Sequence, residues 1–264
     1  MHLIKKIILK IPIIGNIIKR IKKNLIRIIW NIKIFKLFKT KTGNYYLPLF
    51  AYKDEVRNEI INNKIYQPKI IDIAKQYVKK NTIVLDIGAN YGQMTILFSR
   101  LEKKIVVYSF EAQDFIFKLL KKNIEINNVN AKLFYNLVGN ESKIVKVKTT
   151  NLNEFDTWGS NCVEITNNEK KFNYIKAIKI DDLKIKEKIS FIKIDIQGAD
   201  LDALKGAKKT ILINKMPILF EYEEQFEHIF KYKFKDYESF IESINYKIEL
   251  EFNKNYLILP KNDR

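Results

Sequence analysis

Four acids stand in or at the end of short apolar runs: Asp86 in Thr82–Ile87, Glu111 after Ile105–Phe110, Asp195 closing Ser190–Asp195, and Glu221 closing Pro217–Glu221. Each run has the length and composition of a buried strand. A carboxylate at the carboxyl end of such a strand lies where an open α/β sheet binds its ligands. There it can accept hydrogen bonds from hydroxyls or take a proton from one. Between the first two acids lies Gly88-Ala-Asn90-Tyr91-Gly92, a glycine-bearing turn that opens a helix. Strand, glycine turn, helix, strand and acid, in that order, make a unit that holds the ribose of a nucleoside cofactor.

The glycine spacing narrows the cofactor. A dinucleotide fingerprint starting at Gly88 needs glycines at positions 90 and 93, where Asn90 and Gln93 stand. No Gly-Lys-Ser/Thr follows, so the phosphate loop of nucleotide hydrolases is also missing. What remains is a turn tight enough for backbone to approach a ligand that carries no phosphate. S-adenosylmethionine has that chemistry: an amino-acid end, a sulfonium and a ribose. Asp86 is then expected to meet a cationic group or to cap the loop amides, and Glu111 to hold the ribose. Tyr91 is expected over the donor or at the acceptor entrance.

Those residues need a sheet to position them, and the pattern supplies one. Helices are expected over Ile70–Lys79, Gly92–Leu101, from Asp114 as N-cap to about Ile126, a short one from Asp181, then Ala199–Ile213 and Glu224–Lys231. They alternate with the four runs above and with strands over Ala131–Leu137, Lys143–Thr149 and Tyr174–Ile180, the first two joined by a Gly139-Asn140 turn. Tyr246–Phe252 and Tyr256–Leu259 read as a terminal hairpin. This is an α/β chain with a doubly wound, mostly parallel sheet and an antiparallel strand at one side.

A chain of 264 residues, 47% hydrophobic, can bury one sizeable core. The lone Cys162 excludes a disulfide framework, and His2 and His228 leave little for a histidine metal site. Asp181, Asp182, Asp195 and Asp200 show no metal-specifying spacing, so no metal is expected, and the setting is expected to be reducing and cytoplasmic. Residues 1–53 carry thirteen lysines and arginines and no acid, +13 of the formal +18; the remaining 35 basic and 30 acidic side chains leave +5. Within that stretch Ile14, Ile18, Ile21, Leu25, Ile28, Ile32 and Phe35 recur at helical steps, with cations between them. The division expected is a basic amphipathic helical arm over 1–42 and a catalytic domain over 43–264. The longest uncharged run of the arm, Ile11–Ile18, is too short to span a bilayer. An anionic membrane surface, met through residues 1–38, is the partner expected; packing against the domain or a partner subunit is the alternative. Nucleic acid is not expected, because phosphate contacts need no isoleucines.

Four segments at the expected intervals resemble the FkbM-type methyltransferase family. They are Leu85-Asp-Ile-Gly-Ala-Asn-Tyr-Gly92, Ser109-Phe-Glu-Ala112, Phe191-Ile-Lys-Ile-Asp-Ile-Gln-Gly-Ala-Asp200 with Leu204-Lys-Gly-Ala207, and Pro217-Ile-Leu-Phe-Glu221. The resemblance spans roughly residues 65–225. It implies a class I, Rossmann-like fold and an S-adenosylmethionine-dependent O-methyltransferase acting on hydroxyls of sugars, glycans or lipid-linked saccharides. Cofactor contacts are then expected from Asp86, Gly88, Asn90, Tyr91, Gly92, Glu111 and Ala112, with Asn136 on the adenine amine by resemblance. Asp195 is the expected base, or else holds the donor's amino end or an acceptor hydroxyl. Lys193 is expected to orient it, and Glu221 to reach the same cleft. Gln197, Asp200, Trp158 and Ser160, with Asn161 beside it, are expected at the acceptor, and His228 in a structural or surface role.

The departures matter. The family's Glu-Pro is Glu111-Ala112 here, and its two glutamates near the third strand are Gln197 and Asp200. An RNA or DNA methyltransferase is the second enzyme reading, weakened by the lack of an Asn/Asp-Pro-Pro-aromatic turn after Asp195. An inactive membrane-associated protein of the same fold is the non-enzymatic one.

Overall fold

The computed structural model of the chain describes residues 35–49, 51–148 and 172–261. Residues 1–34 of the arm, and the loop bearing Trp158, Ser160, Asn161 and Cys162, lie outside the described residues.

The chain opens with a hairpin of β1 (Phe35–Thr40) and β2 (Gly43–Pro48), antiparallel around Lys41-Thr42. This corrects the expected helix, which was to run through Phe35 and Phe38 to the end of the arm. Phe35, Leu37 and Phe38 fit a helical repeat locally, but Phe38 pairs with Tyr45 and Leu37 with Tyr46. Cross-strand pairing of large side chains outweighs a local period. Tyr45 and Leu47, two apart on one face, are fully buried. The expected 42/43 division falls inside this hairpin's turn.

There follow α1 (Glu55–Ile61), α2 (Lys69–Tyr77), β3 (Ile83–Ile87), α3 (Gln93–Phe98), β4 (Val106–Glu111), α4 (Asp114–Ile126), β5 (Ala131–Tyr135), β6 (Leu137–Val138), β7 (Lys143–Lys148), β8 (Phe172–Ile178) and β9 (Ile189–Ile194). The chain ends with α5 (Asp200–Gly206), α6 (Lys208–Asn214), β10 (Ile218–Glu221), α7 (Glu227–Phe230), α8 (Phe234–Ser243), β11 (Tyr246–Phe252) and β12 (Asn255–Pro260).

Seven strands form the central sheet in the order β11-β12-β10-β9-β3-β4-β5. The five from β10 to β5 run parallel, and β12 runs antiparallel to both β10 and β11, as the terminal hairpin predicts. Every residue of β3, β9 and β10 is buried, the mark of strands covered on both faces. The strand order reverses between β3 and β9, where an open sheet leaves a crevice at the carboxyl ends of its strands.

Several local expectations shift. The Gly139-Asn140 turn does not join a hairpin: β6 pairs parallel with β8 and β7 antiparallel with β8, in a separate three-stranded sheet. The expected helix over Ala199–Ile213 divides at Ala207 into α5 and α6. The expected helix at Asp181 is a 3-10 turn over Ile180–Leu183, and Glu224–Lys231 divides into a 3-10 turn and α7. Gln113 is the N-cap of α4, with Asp114 its first helical residue. Helices α1 and α8 were not expected.

The hairpin is fastened to the domain by side-chain amides. Asn123, fully buried on α4, accepts from the Tyr46 amide at 2.6 Å and donates to the carbonyls of Tyr46 at 3.3 Å and Tyr91 at 2.9 Å. One turn later, Asn127 accepts from the Asn44 amide at 2.9 Å and donates to the Asn44 carbonyl at 2.6 Å. Two asparagines thus satisfy an edge of β2 as a neighbouring strand would.

Candidate functional site

The glycine turn leaves β3 at the crevice. Gly88 has φ +84°, and a Cβ there would lie 1.8 Å from the Asp195 carbonyl oxygen, so only glycine lets the turn pass against the end of β9. Asn90 is also left-handed, φ +51°, and its Oδ1 accepts from the Tyr91 amide at 2.7 Å. Glu111, at the end of β4, accepts from the Asn90 amide at 3.0 Å and from the Gln113 amide at 2.8 Å. Burial pushes the Glu111 carboxyl up to about 7, against the pull of those amides.

Lys193 sits between two acids. In the β3–β9 register Asp86 pairs with Lys193, which puts both side chains on one face. Lys193 Nζ lies 3.7 Å from Asp86 Oδ1 and 3.3 Å from Asp195 Oδ2, and donates to the Gly88 carbonyl at 3.2 Å. Burial alone would lower its pKa; the carboxylates of Asp195 and Asp86 outweigh burial and hold it above the ordinary lysine range. Asp86 is fully buried, accepts from Thr95 Oγ1 at 2.6 Å through Oδ2, and accepts no hydrogen bond through Oδ1. Burial raises its pKa, with Lys193 and Thr95 opposing.

Asp195 lies beyond the last residue of β9 and is 20% exposed. Gln197 Nε2 donates to Asp195 Oδ1 and to Glu221 Oε2, each at 3.1 Å. Gln197 holds φ +55°, a left-handed conformation that costs a non-glycine residue about 1 kcal/mol or more. A glutamate at this position would set a third carboxylate between two others, whereas the amide serves both as donor. Burial, and then the charges of Asp195 and Asp200, push Glu221 far above the ordinary carboxylate range.

A cleft of about 320 Å³ opens over these groups, within the span of small-molecule sites. Gly88, Asn90, Glu111, Ala112, Asn136, Asp195 and Gln197 line it. Asn136 donates through Nδ2 to the Lys176 carbonyl at 3.0 Å, which leaves Oδ1 as the atom able to accept from an exocyclic amine. Lys193 faces a smaller adjoining recess, together with Tyr66, Gly88 and Asp195.

Five expected contacts are not where the sequence reading put them; the first, Gly92, lines neither opening and faces Leu120, whose Cδ1 an added Cβ would approach to 2.7 Å. Asp86 has no exposed surface and meets the chain's own Lys193, so it braces the turn from behind. Tyr91 is also fully buried, and its hydroxyl donates to Asp54 Oδ2 at 2.8 Å, away from the cleft. Asp54 also caps α1, accepting from the Arg57 amide at 2.8 Å. Glu221 lines neither opening and acts through Gln197 on Asp195. Asp200 is buried under the β9 turn, where Oδ2 accepts from the Gly198 amide at 3.1 Å; burial pushes it up to about 7. His228 is exposed and lines no part of the cleft.

The cleft also gathers residues that sequence reasoning missed: Val56 and Tyr66 from the segment before β3, and Asp202, Phe230 and Tyr232 from beyond β9 and β10. For Asp202 a signal existed, since it stands in the first turn of the helix after a site strand. For Tyr66 there was none, because nothing local says that its segment folds over the sheet edge. Among the described residues, no group of three or more His, Cys, Asp or Glu could hold a metal ion, and no helix is long and apolar enough to cross a membrane.

These residues fit a nucleoside that has a charged amino-acid end and no phosphate. Backbone lies open at Gly88, Glu111 and Asn136 offer acceptors to hydroxyls and an amine, and the described lining carries no phosphate-binding glycine–lysine loop. Residues 86–248 match the Methyltransferase FkbM domain. Among solved structures, the chain is similar to the methyltransferase FkbM from Methylobacillus flagellatus KT, with 18% identity, 72% of this chain and 50% of that one covered, and TM-score 0.48. It is also similar to a Streptococcus mutans protein solved in complex with SAH (14% identity, 74% and 97% covered, TM-score 0.46) and to an rRNA methylase from Streptococcus thermophilus (13%, 74% and 95%, 0.44). No curated protein gives a significant match to the chain. With the family's domain matched over more than half of the chain, and the glycine turn, Glu111 and the β9 turn gathered at one crevice, the chain belongs to the FkbM methyltransferase family, whose methyl donor is S-adenosylmethionine.

Proposed function

We propose that the chain is an O-methyltransferase acting on a hydroxyl of a sugar, glycan or lipid-linked saccharide at a cytoplasmic membrane face, with the basic arm over residues 1–38 on the anionic lipid surface. The observation that carries the reading is the placement of Asp195. It stands one residue past the end of β9 and lines the cleft, with Lys193 Nζ 3.3 Å from its Oδ2 and Gln197 Nε2 donating to its Oδ1 at 3.1 Å, so both oxygens are held in place.

When bound, S-adenosylmethionine supplies a methyl group already activated by its sulfonium. Glu111 and the open backbone at Gly88 and Asn90 hold the ribose end, and Asn136 Oδ1 accepts from the base. Asp195 accepts the proton of the acceptor hydroxyl as that oxygen becomes a nucleophile. The remaining contribution of the site is alignment, which can be worth several kcal/mol in a displacement of this kind.

The lining charge supports a neutral acceptor over a nucleic acid. Among the described residues, Glu111, Glu141, Asp195 and Asp202 line the cleft against one lysine, Lys143. A phosphate backbone would be repelled there.

Methyl-labelled donor, incubated with a panel of 4-nitrophenyl glycosides and with membrane lipid extracts, tests the reading. Base-stable label on a sugar is expected, as an ether would give. Donor binding by calorimetry with label transferred only to RNA, or to no saccharide, would overturn it.

A further inference from the structure

Three side chains outside the machinery described above share one wall of the cleft: Asp202 from α5, Phe230 from the end of α7, and Tyr232 just after it. The Tyr232 hydroxyl donates to Asp202 Oδ1 at 2.7 Å, while Asp202 Oδ2 accepts from no described residue. Lys205, which does not line the cleft, places its Nζ 4.3 Å from the centre of the Tyr232 ring and backs it. The wall is seated against the turn that carries Asp195 and Gln197. Gly198 has φ +98°, and a Cβ there would lie 2.5 Å from Phe226 Cβ and 2.8 Å from Phe230 Cδ2. Only glycine lets the aromatic segment close on that turn.

An aromatic surface beside a carboxylate with an oxygen that no described residue occupies suits one ligand chemistry. The ring takes an apolar C–H face, and the carboxylate accepts from a hydroxyl on the same molecule's edge. A phosphorylated or carboxylated ligand is disfavoured, because Asp202 and Asp195 both face the space it would enter.

We infer that Phe230, Tyr232 and Asp202 form the acceptor subsite and that its occupant is a neutral sugar ring, stacked on the aromatic wall with one hydroxyl bonded to Asp202. This rests on the saccharide reading above and assigns it to residues. The neighbouring hydroxyl of the stacked ring is then carried toward Asp195.

The test separates the subsite from the reading beneath it and needs no turnover. Saturation-transfer NMR of 4-nitrophenyl hexosides and 6-deoxyhexosides, with S-adenosylhomocysteine present, should show transfer concentrated on ring C–H protons. Tyr232→Ala and Asp202→Asn should each weaken glycoside binding about tenfold or more. Tyr232→Phe, which keeps the ring, should weaken it about threefold or less, and affinity for S-adenosylhomocysteine by calorimetry should stay at the wild-type value in all three. Glycoside binding unchanged in Asp202→Asn and Tyr232→Ala overturns the subsite and leaves the saccharide reading standing. A parallel fall in S-adenosylhomocysteine affinity also overturns it, since the wall would then hold the donor. Wild-type protein that binds S-adenosylhomocysteine but none of the glycosides removes the saccharide reading and the subsite together.

Discussion

Asp86 and Asp195 flank the same ammonium, at 3.7 and 3.3 Å, yet they sit in opposite conditions. Asp86 is inside β3, paired in register with Lys193 and closed off from solvent. Asp195 is one residue past the end of β9, where the chain leaves the sheet and its carboxylate turns to the cleft. The same residue type beside the same cation is thus a buried brace in one place and a cleft-lining carboxylate, the proposed base, in the other. Position along the strand makes the difference: within the strand the register fixes which face a side chain takes, and past its end the turn does. Lys193 joins the two regions and stops either acid from being a lone buried charge.

Lys193→Met should break both halves at once and have the largest effect. It leaves Asp86 buried without its cation, a change worth roughly 3–5 kcal/mol, read as a lower urea midpoint, and turnover should fall with it. Asp195→Asn should separate the halves. Turnover on an accepted glycoside is expected to fall by about 10²–10⁴, with the urea midpoint and the donor Kd near wild type; a matching loss of stability would mean that Asp195 is structural after all. Asp86→Asn should show the converse. It keeps an acceptor for Thr95 and should lower stability by about 1–2 kcal/mol, with kcat altered less than by Asp195→Asn.

The smallest effect is expected at Asp200, a buried acid with no cation beside it. Its folded pKa, about 7, lies above its ordinary value of 3.8. Protonated Asp200 therefore favours the fold: that contribution is fully present below pH 3.8 and lost as pH rises through about 7. Asp200→Asn fixes the neutral form, so its Tm should gain on wild type above pH 7 and show no gain near pH 4. Thermal scans across that range would show it, and a gap that does not change with pH would contradict it.

The sheet was legible because its strands are short apolar runs ending in acids, and because the glycine turn sits at the correct distance from Glu111. The terminal hairpin was legible for a similar reason, two runs with a short polar break. What failed was orientation. Asp86 and Tyr91 both flank Gly88, but which way each points depends on the phase of β3 and on left-handed Asn90, and no spacing rule carries that information. The hairpin over residues 35–48 failed differently, since Phe35, Leu37 and Phe38 satisfy two periods at once and only α4 decides between them. Tyr66 and Tyr232 reach the cleft through chain crossings far from the motifs. Gln197 reads in sequence as a lost charge; in the fold it is the donor that two carboxyl groups share.

The asparagine amides of α4 have a practical consequence for anyone shortening this protein. Asn123 grips Tyr46 of the hairpin with the same side chain that grips Tyr91 of the glycine turn. A cut at the compositional border near residue 42 would tear β1 from β2 and loosen the clasp on the glycine turn, so weak donor affinity in such a fragment would be an artefact of where it was trimmed. A cut just ahead of Phe35 sheds most of the cationic arm and keeps the clasp whole.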